Sequence, residues 1–378
     1  MINRRAFLQS TPAAAGLAIP LAPALAASDA PIRVGVIGAS GRARSLYQLF
    51  AKNPEVDLVS IADVDTKNFA RAVEEIGASQ GGSRPETHQD FRQLVNDDSI
   101  DALVVGTPDE WHASPTINGC LAGKDVYVET PDAPNMIQGQ AMVRAAKESG
   151  RIVQMGAQHR SSENLQSALT YIREGHLGEA TAAKAWENSE GKSAELGARG
   201  LKLLDVAFSA LSAAVETNGG APLKAPTTIS AQTGDRKNPD AFIASYEFAG
   251  SQPSYLTFEQ NSWTSTPANG FAEGSAVYGD RGHITIGDNE WKAYGADGRL
   301  VAEHSSRDNA DELHVQNFID CVRTRNRPNA ELETAGHPAS VLAHAGNISA
   351  RLGRVLTLNP HTERFENDDE ANALQGIC

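Results

Sequence analysis

The sequence predicts an α/β protein with an N-terminal, doubly wound parallel sheet followed by a C-terminal α/β unit whose open sheet is mainly antiparallel. Three observations carry this prediction. From Pro31 onward, short apolar runs alternate with stretches of helical spacing, the pattern of parallel strands joined by crossover helices. A glycine-containing turn follows the first of these runs directly. In the second half the pattern changes to alternating strands separated by Gly-Asp turns. At 378 residues the chain exceeds one ordinary core and suits two.

Strands of the parallel sheet are expected at 32–37, 57–62, 102–105, 125–128 and 152–155, each a short apolar run. Between them, 42–52, 66–76, 117–122 and 137–149 repeat apolar residues at helical spacing. In the second half, alternation at 227–232, 241–248, 254–259, 274–277 and 283–286 reads as sheet strands, with turns at Gly279-Asp280-Arg281-Gly282 and Asp297-Gly298. Helices at 312–324 and 338–352, parted by Arg327-Pro328-Asn329, close the chain. The expected division is 28–155 and 156–378. Ahead of it, Asn3-Arg4-Arg5-Ala6-Phe7-Leu8 and an alanine-rich stretch ending near Ala26 or Ala27 read as a twin-arginine export signal over 1–27. Export of the folded protein would suit one that loads a cytosolic cofactor first.

Composition removes several classes of function. The chain is 40% hydrophobic and 21% charged with no long apolar run, so no membrane span is expected. A formal charge of −14 without a basic stripe argues against a nucleic-acid partner. Cys120, Cys321 and Cys378 lack Cys-x-x-Cys spacing, and the first two fall on apolar helix faces, so no disulfide framework is expected. The ten histidines are dispersed and show no zinc-like spacing, hence no metal site.

Ligands of such a sheet bind at the carboxyl ends of the strands. There the first strand runs into Gly38-Ala39-Ser40-Gly41-Arg42-Ala43, where a Gly-x-Gly-x-x-Gly/Ala turn would offer backbone amides to a pyrophosphate. Gly38 supplies the tight turn and Ala43 fits the third position, but Ser40 replaces the second glycine. The motif alone leaves a cofactor turn and a plain strand-to-helix turn both open, with Gly38, Ser40, Gly41 and Arg42 as the binding candidates. Asp63 ends the second strand, where a carboxylate accepts from both ribose hydroxyls; this favours NAD over NADP, whose 2′-phosphate it would repel. Arg42 or Arg44 would offset that repulsion, and a capping or turn role is the alternative for Asp63.

Two further stretches, Gly106-Thr107-Pro108-Asp109-Glu110-Trp111-His112-Ala113 and Ala122-Gly123-Lys124-Asp125-Val126-Tyr127-Val128-Glu129-Thr130-Pro131, strongly resemble the Gfo/Idh/MocA family of oxidoreductases, above all its exported bacterial members. The likeness continues through 153–162 and 172–178 and returns at 317–323 and 347–353. It implies an N-terminal Rossmann domain that binds NAD and a C-terminal α/β domain whose open sheet covers the active site and mediates homo-oligomerisation. It adds Thr107, Pro108, His112, Glu129 and Gln158 to the cofactor-binding candidates. It also implies a lysine after Glu129 and an Asp-x-x-x-His pair on a later helix, to bind substrate and relay its proton. Here Thr130 stands at the lysine; with Asp205 aligned to the family's aspartate, Ala198 and Lys202 stand at the first aspartate and the histidine.

Oxidation of an alcohol needs a base, because the hydroxyl loses its proton as the carbonyl forms. Lys202 is the substitute closest to the missing histidine, with a solvated helix lysine as its alternative reading; Glu129, His112 and His159 are the other titratable groups expected near the strand ends. Three functions follow: an NAD(P)-dependent oxidoreductase of a sugar or polyol using Lys202, Thr130 and Glu129; a dinucleotide- or carbohydrate-binding protein without turnover; and an NAD-dependent glycosidase-like enzyme. The segment between Trp186 and Gly200 is shorter than in exported relatives, which opens the expected pocket.

Overall fold

The computed structural model describes residues 30–188, 195–234, 241–262 and 270–377. The export signal expected over 1–27, residues 189–194 of the short loop, and Cys378 lie outside the described residues.

The first unit alternates strands and helices: β1 (Ile32–Ile37), α1 (Gly41–Lys52), β2 (Val56–Ala62), α2 (Phe69–Ser79), β3 (Glu86–His88), α3 (Arg92–Val95), β4 (Ala102–Val105), α4 (Ala113–Leu121), β5 (Asp125–Val128), α5 (Met136–Ser149) and β6 (Val153–Met155). All pairings are parallel, in the order β3-β2-β1-β4-β5-β6. The order reverses between β1 and β4, which opens a crevice beyond their carboxyl ends. β1, β4 and β5 have the predicted bounds, because strands buried on both faces are written as apolar runs. α4 begins at Ala113 rather than at 117, since Pro115 in its first turn has no amide to lose. α2 begins later than expected: Asp65 accepts from the Lys67 amide and caps a 3₁₀ turn over Thr66–Asn68 before the helix starts.

The second unit contains α6 (Glu163–Arg173), β7 (Ala180–Asn188), α7 (Ala198–Thr217), β8 (Thr228–Thr233), β9 (Ala241–Phe248), β10 (Ser254–Asn261), β11 (Glu273–Gly279), β12 (Gly282–Ile286), β13 (Glu290–Gly295) and β14 (Leu300–Ser305). Then come α8 (Ala310–Thr324), α9 (His337–Leu352), β15 (Leu356–Thr357) and α10 (Asp369–Leu374). The nine strands run in the order β14-β13-β12-β11-β7-β10-β9-β8-β15, antiparallel except where β7 lies beside β10. α6, α7 and α9 cover one face, where Leu204, Phe208, Leu211 and Leu342 pack on Phe242, Tyr246 and Phe258. The other face exposes Ile243, Tyr255 and Tyr278.

α8 turns back to the parallel sheet. Its Val315, Phe318, Ile319 and Val322 share a core with Val34, Phe50 and Tyr127, and Phe50 meets Tyr127 and Phe318 edge-on at 5.6 and 6.1 Å. Cys120 and Cys321 are buried in the helices as expected.

A second tie between the units is ionic. His337 at the start of α9 lies buried between Asp132, 3.0 Å from Nδ1, and Glu363, 2.8 Å from Nε2. Burial works against its charge, but the two carboxylates prevail and raise the imidazole to about 10. Because the folded value lies above the unfolded value of about 6.5, this contribution is complete below that pH and is lost as pH rises toward 10. His337→Gln is expected to lower stability by about 3–5 kcal/mol and to flatten the fall in denaturation midpoint over that window. A variant whose midpoint follows the same pH curve as the wild type would contradict this.

Candidate functional site

At the turn after β1 the chain passes so close to the end of β4 that only glycine fits. Gly38 has φ +105°, and a Cβ there would meet the Gly106 carbonyl oxygen at 2.9 Å. A Cβ on Gly106 would in turn meet Ala43 of α1 at 2.9 Å. These contacts press the N-terminus of α1 against the switch point between β1 and β4. Ser40 precedes α1 in an extended conformation and its side chain caps no amide, and the first turn carries no acidic residue. The first amides of a twelve-residue helix are therefore left for an anion.

Beside this turn lies a cleft of about 850 Å³, lined in part by Gly38, Ser40, Asp63, Thr107, Pro108 and Trp111. Asp63 Oδ2 accepts from the Ala39 amide at 2.7 Å and Oδ1 from the Asp65 amide at 2.8 Å. The carboxylate is thus both a turn residue and a fixed acceptor at the rim, since each oxygen keeps a lone pair. The one guanidinium in this lining is Arg92, and Asp90 holds it at 2.6 Å. No free cation among the lining residues awaits a 2′-phosphate. The Thr107 hydroxyl oxygen is buried with no partner among the described residues, an orphan that a bound ligand would satisfy.

Directly after β5, Glu129 gathers three parts of the chain. Its Oε1 accepts from Arg42 Nε at 2.9 Å and from Gln158 Nε2 at 3.1 Å, and its Oε2 accepts from the Thr130 amide at 3.1 Å. Arg42 also reaches Asp311 at the start of α8, at 2.7 Å. Burial opposes the Arg42 charge, but Glu129 and Asp311 outweigh it and raise the guanidinium further. Gln158 belongs to a 3₁₀ turn, Gln158–Ser161, directly beyond β6. In that turn His159 donates from Nε2 to Asp205 Oδ2 on α7 at 2.6 Å, and Arg160 grips the same carboxylate at 2.7 and 2.5 Å. Burial alone would raise Asp205; Arg160 and His159 overcome it and bring the acid down to about 2.

Of the expected binding residues, Gly38, Ser40, Asp63, Thr107 and Pro108 line the cleft and Gly41 and Arg42 open α1 beside it, while Glu129 and Gln158 are outside its lining and join it through Arg42. His112 is buried behind them, its ring nitrogens 2.9 and 2.7 Å from the carbonyl oxygens of Thr107 and Pro131, so it pins the loop. Thr130 is half-buried next to Glu129. Lys202 makes its ion pair with another element. Its Nζ pairs with Asp288 at 2.7 Å, and Ala198 at the helix start is exposed. Asp311 was missed by sequence reasoning, since nothing local marks a residue 269 positions from its partner. No group of metal-ligating side chains occurs among the described residues, and no described helix is long and apolar enough to cross a membrane.

Comparison with known proteins agrees with this geometry. Residues 32–157 match the Gfo/Idh/MocA oxidoreductase family model for the NAD-binding Rossmann fold, and residues 301–376 match that for its C-terminal alpha/beta domain. Among curated proteins, glycosyl hydrolase family 109 protein 1 of Shewanella sp. strain MR-4 is 30% identical over 152 residues, 39% of this chain and 33% of that protein. The chain thus spans about a third of the length of the first curated relatives it matches. Among solved structures, an oxidoreductase domain protein from Kribbella flavida superposes with a TM-score of 0.67 at 16% identity, covering 86% of this chain and 98% of that one. Scyllo-inositol dehydrogenase from Lactobacillus casei, solved with NAD(H) and scyllo-inositol, gives 0.64 at 15% identity over 86% and 99%.

The residues present fit NAD: uncapped helix amides, a fixed acidic acceptor, an orphaned hydroxyl and no free cation in the cleft lining for a second phosphate. Asp63→Ala removes both the acceptor and the lock on the Ala39 amide. Its affinity for NAD⁺ in a fluorescence titration is expected to fall at least about tenfold, from hydrogen bonds to a charged group worth roughly 1.5–3 kcal/mol. Wild-type affinity in this variant would remove Asp63 from the cofactor site.

Proposed function

The chain belongs to the Gfo/Idh/MocA oxidoreductase family, and on that premise we propose that it oxidises a secondary hydroxyl of a sugar or polyol with NAD⁺. The observation that carries this reading is the cleft at the β1/β4 switch point, lined by Asp63 and Thr107, with the Glu129 node tied to the adjoining start of α1 through Arg42. Gly38, Ser40, Gly41 and Arg42 would hold the pyrophosphate, Asp63 the adenosine ribose, and Thr107, Pro108, Glu129 and Gln158 the inner end. NAD⁺ supplies the hydride acceptor; the protein's part is to orient the alcohol, exclude water and receive the hydroxyl proton. Scyllo-inositol dehydrogenase, a polyol-acting protein of the same fold, supports the substrate class.

A second reading has its own support. The first curated relatives are named glycosyl hydrolase family 109 proteins, and Thr130 stands where the family's lysine is expected. In that reading NAD stays bound and a glycoside is cleaved through transient oxidation. With either reading we propose export, on the twin-arginine signal read in residues 1–27. We also propose homo-oligomerisation through the open face of the nine-stranded sheet, a reading supported by the exposure of Ile243, Tyr255 and Tyr278.

Purified protein supplied with NAD⁺ and a panel of inositols, aldoses and sugar alcohols is expected to form NADH with at least one of them. Release of a phenol from nitrophenyl glycosides, with no net NADH, would instead select the glycosidase. Neither reaction would leave a binding protein without turnover.

A further inference from the structure

The three side chains expected to bind substrate and relay its proton are replaced by Thr130, Ala198 and Lys202, and Lys202 is tied to Asp288. A relay must nonetheless sit on this side of the cleft if an alcohol is to be oxidised. The imidazoles at the strand ends narrow the choice. His112 has both ring nitrogens against carbonyl oxygens and offers neither to a ligand. His314 on α8 donates from Nε2 to the Met155 carbonyl at 2.9 Å and accepts at Nδ1 from the Ser161 hydroxyl at 2.7 Å. It is also fully buried, which holds it down at about 4.

His159 differs from both. It stands beyond the carboxyl end of β6, beside the Gln158 that contacts Glu129, and its side chain keeps 16% exposure. Only Nε2 makes a hydrogen bond among the described residues, to Asp205. Asp205, held ionised by Arg160, can only accept, so the ring hydrogen belongs on Nε2 and the lone pair of the neutral ring on Nδ1. Asp205 is three residues beyond Lys202 on α7, so the two share a helix face about 5–6 Å apart. An imidazole held by Asp205 is therefore delivered within one helical turn of the position where the family's histidine would stand.

We propose that the His159–Asp205 pair is the proton relay of this site, with His159 Nδ1 as the acceptor. The proposal rests on the oxidoreductase reading above. As the C–H electron pair leaves the alcohol as hydride for the nicotinamide ring, the hydroxyl proton passes to Nδ1 and the C=O bond forms. The alcohol is oxidised to a ketone, NAD⁺ is reduced, and the imidazolium that forms is held by Asp205 through Nε2. The charged groups around the ring are Asp205 on α7 and Arg160 on its own turn, with neutral His314 facing it from α8.

The test uses His159→Gln beside the wild type. The variant is expected to bind NAD⁺ as tightly as wild type, which reports an intact fold. It should lose about 100-fold or more in kcat on whichever alcohol the wild type oxidises, with the acidic limb of the pH profile displaced. In ¹⁵N-histidine NMR of the cofactor-free protein, the signal absent from the variant should show, in the neutral ring, Nε2 protonated and Nδ1 bare. A proton fixed on Nδ1 would overturn the proposal, as would a variant that keeps wild-type kcat and pH profile. If the wild type itself reduces no NAD⁺ with any alcohol, the oxidoreductase reading has failed and the relay falls with it.

Discussion

Glu129 is the carboxylate on which the walls of the site converge. A buried carboxylate is costly unless its oxygens are paired and bonded, and here the pairing is drawn from three places: Arg42 at the start of α1, Gln158 beyond β6, and the backbone of Thr130. Arg42 carries the link on to Asp311 of α8. The requirement to satisfy one buried charge thus sets the position of the phosphate-side turn, the turn that carries His159, and the helix returning from the second unit. Gly156, where a Cβ would come within 2.8 Å of the Glu129 carboxyl, leaves room for it.

The same economy explains how the site tolerates the loss of the family's lysine. Thr130 contributes a backbone amide to Glu129, a bond that any residue except proline makes, so the node does not depend on the side chain at that position. Proton handling need not come from the replaced positions either. Asp205 keeps its expected place on α7, but its partners are His159 and Arg160 from the turn after β6. The tie through Asp132, His337 and Glu363 holds the segment just beyond Thr130 to α9 and the C-terminal arm, which keeps this corner of the cleft from spreading.

Much of this was legible in the sequence, for identifiable reasons. Buried parallel strands such as Ala102–Val105 are continuous apolar runs, and the turn at Gly38 with Asp63 after the second strand carries its chemistry locally. β3 escaped because Glu86–His88 is a polar, three-residue edge strand. β7 escaped because an alanine-rich run has weak strand propensity, although as the strand between β11 and β10 it is central to the sheet. β13 and β14 mix aromatic, charged and small residues on a half-exposed edge, where alternation is blurred. In the site, the contacts that sequence could not supply are those made at long range: His159 with Asp205, and Arg42 with Asp311, the latter formed only once the second unit is folded against the first.

The central claim is that the switch-point cleft of this chain is a working NAD site despite Ser40 and Thr130. Calorimetric titration of NAD⁺ and NADP⁺ into protein beginning at Ser28, stripped of any bound nucleotide, tests it most directly. The account predicts saturable one-to-one binding of NAD⁺, with NADP⁺ weaker by at least about tenfold because its 2′-phosphate meets Asp63. Failure of both nucleotides to bind, or equal affinity for the two, would contradict it.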